Sequence, residues 1–163
     1  MKRSLILFGF LLPGIFSIAQ VVEISRFDKS YFQDLKTYEL RGDLPDGSYR
    51  VYYDSLRTKL ELTATFAGGA KTGKWKWYFE DGNPKREIEY HMGLFNGTVK
   101  SWYPNGQISA SSMYSMGMAH GESIRWHENG GKKSEGMTLN GKPSGLWRYW
   151  KEDGSILMER NYQ

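Results

Sequence analysis

The chain has 163 residues, enough for one independently folding domain, and it is rich in aromatics (15%) but contains no cysteine. The lack of cysteine excludes disulfides, zinc–thiolate sites, a thiol nucleophile and a lipidated cysteine anchor. The formal charge of +4 falls to +2 once Lys2 and Arg3 are set aside, with 20 basic residues against 18 acidic, and the charges are interspersed, which argues against a nucleic-acid partner.

Taken in chain order, the first predicted element is a leader. Lys2-Arg3 is a basic start, Leu5 to Leu12 an apolar run, and Ser17-Ile18-Ala19 a small-x-small cleavage signal. Residues 1–19 are therefore expected to be a signal peptide cut after Ala19, leaving Gln20 as the new N-terminus of a protein exported to the periplasm or beyond. Pro13-Gly14 breaks the apolar run well short of the roughly 20 residues a spanning helix needs. Residues 20–46 follow as a capping segment that carries its own apolar side chains, among them Val22, Ile24, Phe32 and Leu35.

From residue 47 the chain repeats itself. Gly73, Gly97, Gly121 and Gly145 stand 24 residues apart, and the pairs Asp81-Gly82, Asn105-Gly106, Asn129-Gly130 and Asp153-Gly154 keep the same interval. With each of the first four glycines as position 1 of a unit, position 6 is always aromatic: Tyr78, Trp102, Trp126 and Trp150. A degenerate unit begins at Gly47, with Tyr52 at position 6 and a two-residue insertion, so the domain 47–163 holds about five units, starting at 47, 73, 97, 121 and 145. Within a unit the polarity alternates with period two on both sides of the turn, which predicts a β-hairpin. A three-residue loop such as Pro104-Asn105-Gly106, with Gly in the left-handed region, makes position 6 pair with position 12 and puts positions 12, 14, 16 and 18 on its face. Gly93-x-x-x-Gly97 and its equivalents are expected to form the return turn. The predicted fold class is all-β: an elongated antiparallel meander of stacked hairpins in which each unit touches chiefly its neighbours.

The spacing aromatic-x-x-Gly-x-x-x-Gly, with another Gly nine residues on, seen at Tyr90, Gly93, Gly97 and Gly106, resembles the MORN repeat (membrane occupation and recognition nexus). Its form is similar to the bacterial variant found in YwqK-type antitoxin components. The resemblance implies a single-sheet ribbon that binds or scaffolds, and it supplies no catalytic residues. The MORN consensus has a second glycine two residues after position 1, where this chain has Trp75, Val99, Ser123 and Trp147, so membrane-lipid binding is not carried over.

No constellation of catalytic or metal-binding residues stands out. Gly68-x-x-x-x-Gly73-Lys74 lacks the Ser or Thr and the helix of a phosphate loop, the three histidines occupy different unit positions, and the carboxylates at hairpin tips suit turn chemistry. No enzyme, cofactor or metal is therefore expected. The candidate binding face comprises Trp75, Trp77, Phe79, Tyr103, Trp147 and Tyr149, at odd positions of the incoming strands. Rigid rings beside mixed charge suit a protein partner, or a glycan of the cell envelope. If residues 20–46 fold over this face, its aromatics are core instead, whereas Trp102 and Trp126 are expected to be packing residues. Two further functions remain open at this point: an antitoxin or immunity partner of a cognate toxin, and a carbohydrate-active protein.

Overall fold

The computed structural model describes residues 21–163; the expected leader, 1–19, and its cleavage point lie outside the described residues. The N-terminal segment supplies β1 (Val21–Ser25), a 3-10 turn (Lys29–Tyr31), β2 (Phe32–Asp34) and β3 (Glu39–Leu40). The degenerate unit gives β4 (Gly47–Tyr52), β5 (Leu60–Ala67) and the short β6 (Ala70–Lys71). Four hairpins follow: β7 (Gly73–Tyr78) with β8 (Pro84–His91), β9 (Leu94–Trp102) with β10 (Ile108–Ser115), β11 (Met118–Trp126) with β12 (Lys132–Leu139), and β13 (Lys142–Trp150) with β14 (Ile156–Tyr162). All strands but β2 and β3 belong to one 12-stranded sheet whose order follows the chain from β4 to β14, with β6 attached to β5. The meander is antiparallel throughout that run, but β1 lies parallel on β4, Val21 beside Ser48 and Ser25 beside Tyr52, so the sheet as a whole is mixed. Among the described residues no helix is long and apolar enough to cross a membrane.

The hairpin turns follow from their sequences. In each, the glycine N–H donates to the residue three back, as Gly106 does to the Tyr103 carbonyl at 3.0 Å, and Tyr103 N–H donates to the Gln107 carbonyl at 2.8 Å, enclosing Pro104-Asn105-Gly106. Gly106 sits at φ +85°, the left-handed region that a side chain resists. The Asn105 carboxamide oxygen accepts from Gln107 N–H at 3.0 Å, and Asp81, Asn129 and Asp153 do the same in their own turns. Position 6 then pairs with position 12, Trp102 with Ile108 and Trp150 with Ile156.

The return turns differ from expectation. They are two-residue loops, Met92-Gly93, Met116-Gly117 and Asn140-Gly141, since His91 faces Leu94, Ser115 faces Met118 and Leu139 faces Lys142. Both loop residues have positive φ in each case, the type I′ geometry whose handedness matches the strand twist. Gly97 is not in the turn but within β9 at φ +122°, where a Cβ would collide with the Glu89 carboxylate. Asn140 is the residue such a turn favours, whereas Met92 (φ 49°) and Met116 (φ 48°) are strained and exposed. Each of Met92→Asn and Met116→Asn should therefore raise stability by about 0.5–1 kcal/mol. The urea midpoint should rise with an unchanged slope; a lower midpoint would mean that the methionine side chains make contacts outweighing the backbone strain.

The expected assignment of faces needs correction. Beyond the 6:12 pair every hairpin carries a β-bulge: Trp102 faces Ile108, but Ser101 faces Ala110, and the same shift separates Tyr78↔Pro84 from Trp77↔Arg86. One extra residue inverts the alternation. Positions 14, 16 and 18 therefore share a face with positions 5, 3 and 1, not with position 6, and Trp75 lies opposite Ile88.

That face carries the core. Ile24, Phe32, Leu40 and Leu44 of the N-terminal segment pack with Tyr49, Val51, Leu62, Ala64, Phe66, Trp75, Ile88 and Tyr90 of the sheet. Aromatic contacts continue along it from Tyr49 to Phe66, Trp75, Tyr90, Phe95 and Tyr114, each step 5.2–5.6 Å between ring centroids. Farther on the large side chains give way to Ser112 and Ser123, whose hydroxyls are 2.9 Å apart, and to Gly136, across which the Trp147 indole lies.

Candidate functional site

The six residues of the candidate face do not form one surface. Trp75 is 1% exposed, its indole N–H donating to the Thr65 carbonyl at 3.1 Å, and it is core rather than an accessible binding residue. Trp77 and Phe79 are half-buried and line a cleft described below. Tyr103 donates its hydroxyl to the Trp126 carbonyl at 2.7 Å, tying one hairpin to the next. Trp147 and Tyr149 stand at the far end of the sheet, half-buried and stacked at 6.2 Å, with Tyr162 edge-on to Trp147 at 6.3 Å. Trp147 makes the same bond as Trp75, from its indole N–H to the Met137 carbonyl at 2.9 Å. The Tyr149 hydroxyl hydrogen-bonds Tyr162 at 3.3 Å, which raises its pKa.

The position-6 aromatics are corrected in the opposite sense. Tyr78, Trp102, Trp126 and Trp150 point away from the core face, by the alternation of their strands, and all are half-buried. No described segment covers them. One stands on every second strand, with position-12 residues Pro84, Ile108, Lys132 and Ile156 between, and the Lys132 ammonium lies 6.0 Å from the Trp150 ring. On the same face, but nearer the return turns and beyond a row that includes Lys76, Lys100 and Arg148, Met113, Met118, Met137 and Leu146 are exposed.

On the core face, the N-terminal segment leaves a cleft of about 800 Å³ between the β2–β3 hairpin and the sheet. Tyr38 and Leu40 line one side, and Trp77, Phe79, Tyr90 and Phe95 the other. Its two carboxylates are already engaged. Glu61 accepts two hydrogen bonds from Arg26, at 2.6 and 2.5 Å, which raises the Arg26 pKa further, and that guanidinium is sandwiched between the Tyr38 and Tyr53 rings at 4.2 and 4.5 Å. Glu39 pairs with Lys71 at 3.3 Å, and the Lys71 ammonium sits 5.0 Å from the Trp75 ring. Lys85 and Arg86, also on the cleft, form no ion pair among the described residues; Lys85 lies 5.7 Å from the Phe79 ring.

A break in the repeat opens the cleft toward the hairpin tips. Elsewhere position 7 of one unit hydrogen-bonds the position-6 carbonyl of the next: Tyr53 to Tyr78 at 2.7 Å, Tyr103 to Trp126 at 2.7 Å, His127 to Trp150 at 2.9 Å. The tip amides Asn105 and Asn129 likewise reach the Glu128 and Glu152 carbonyls. Between the second and third units both ties are missing, because Phe79 has no hydroxyl and Asp81 no N–H to offer. Arg86 escaped the sequence reading; the visible signal was Phe79, an apolar residue in a column otherwise made of Tyr53, Tyr103, His127 and Lys151.

Among the described residues no group of three or more His, Asp or Glu side chains is placed to hold a metal ion. The arrangement offers rings, cations and hydrogen-bond donors, which suits binding. A comparison with curated proteins finds no match. Residues 71–92, 95–115 and 119–140, which are three successive units running from β7 to β12, match the family model described as MORN repeat variant and identify this stretch of the chain as MORN-type repeats.

Proposed function

We propose that the chain is an exported, non-catalytic scaffold that carries a protein partner on the sheet face opposite its core. The observation that supports this reading is the row of Tyr78, Trp102, Trp126 and Trp150, one per hairpin and uncovered, on a face that also exposes methionines toward the return turns. Rings and flexible thioethers supply contact area that adapts to a partner, and an apolar stretch of this kind on a surface marks an interaction site. Export is supported by the basic start, apolar run and small-x-small signal of residues 1–19.

Affinity capture from the protein's own cell envelope tests both parts. The captured chain should begin at Gln20, and the double variant Trp102→Ala/Trp126→Ala should lose the partner while its far-UV circular dichroism keeps the strand signal. Retention of the partner by that variant, or an intact Met1 on the recovered protein, would remove the corresponding half of the proposal.

A further inference from the structure

We propose that the cleft under the β2–β3 hairpin is a second binding site, for a short stretch of anionic polysaccharide bearing uronic-acid residues. This site is separate from the partner face, which lies on the other side of the sheet.

The lining determines the class of ligand. Glu61 and Glu39 are neutralised by Arg26 and Lys71, so the charge left over is that of Lys85 and Arg86, together with Lys36 at the mouth. An occupant that brings negative charge is therefore favoured over a neutral or cationic one. Neutral donors are available as well. The Trp77 indole N–H and the Tyr38 hydroxyl form no hydrogen bond among the described residues, and both residues line the cleft. Two acceptors stand beside them: the Ser101 hydroxyl, and the Trp102 carbonyl, whose equivalents in other units receive a Tyr or His side chain and which is left without one opposite Phe79.

An acidic peptide fits this lining less well, since each of its residues brings a backbone N–H that needs an acceptor, and the cleft's two carboxylates are held in ion pairs with Arg26 and Lys71. A sugar chain fits it well. Hydroxyls accept from the indole and phenol and donate to the carbonyl, pyranose faces lie against the Trp77 and Phe79 rings, and a carboxylate meets Arg86 in the paired geometry a guanidinium prefers. A cleft of about 800 Å³ holds a few sugar rings and not a folded domain.

The test is titration of the full chain, followed by tryptophan fluorescence and amide chemical shifts, with tetrasaccharides of mannuronate, galacturonate and a glucuronate-containing repeat. The comparison probes are neutral β-1,4-mannotetraose and hexaglutamate. At least one uronate probe should bind, with shifts confined to residues around Trp77 and Arg86, and each comparison probe should bind at least tenfold more weakly. Lys85→Gln/Arg86→Gln, at two exposed positions outside the core, should weaken uronate binding at least tenfold with no change in the unfolding midpoint. Phe79→Tyr, which supplies the missing hydroxyl for the Trp102 carbonyl, should weaken it severalfold. Binding by none of the three uronates, equal binding by hexaglutamate, or full affinity in the Lys85/Arg86 variant would each overturn the proposal.

Discussion

Trp75→Ala should destabilise the fold by roughly 3–5 kcal/mol, and Trp147→Ala, at the same position of the last unit, should cost well under half of that. Both indoles donate to the carbonyl at position 17 of the preceding unit, and position 16 of that unit is small in each case, Ala64 in the same core cluster as Trp75 and Gly136 under the Trp147 indole. Burial separates them. Trp75 is 1% exposed and touches Phe66, Tyr90 and Trp77, so its loss leaves a cavity that neighbours on a hydrogen-bonded sheet cannot close. Trp147 has solvent on one side, and water fills the space an alanine leaves. Urea unfolding of the two variants, compared at equal slope, measures the difference. Equal costs would mean that the far end of the sheet is covered in solution, and the burial gradient described above would be wrong.

The contrast shows which parts of the structure were legible in the sequence. A 24-residue interval, an alternating pattern and an Asx-Gly pair specify hairpins and even loop length, because each of those features acts through the local backbone. The 6:12 pairing of Trp102 with Ile108 was readable for that reason. The bulge one step further in was not. Its extra residue leaves no local mark, since both strands still alternate on either side of it, and its effect is to move Ile88 and Tyr90 onto the face of Trp75. Position-6 aromatics thereby left the core face, while Trp75 at position 3 lies under the N-terminal segment, the alternative that the sequence had left open. The return turns misled in a similar way: a glycine at fixed spacing signals positive φ, but Gly97 needs it to pass beneath Glu89 inside a strand, not to turn the chain. The cleft was half legible. Two of its rings, Trp77 and Phe79, were among the candidate residues, while its cations became meaningful only once the N-terminal segment was placed above them.

Placement of that segment sets up the second large effect. Leu40→Ala should cost about 2–5 kcal/mol, although β3 is two residues long and belongs to a separate two-stranded sheet. Leu40 is 1% exposed, in the same cluster as Trp75, Phe66 and Ile88, so the hairpin is part of the core and not an appendage to it. Leu157→Ala on β14, 58% exposed, should stay within about 0.5 kcal/mol of the parent. In a repeat sheet stability is a sum over units and their interfaces, and here the units near the N-terminal segment are buried on one face while β13 and β14 are open on both. Amide exchange should therefore be slowest in β4, β5, β7 and β8 and should quicken toward β14. Leu40→Ala should speed exchange in the slow group first and leave β14 unchanged. A silent Leu40→Ala would detach the β2–β3 hairpin from the core, and with it the wall that makes the cleft a site.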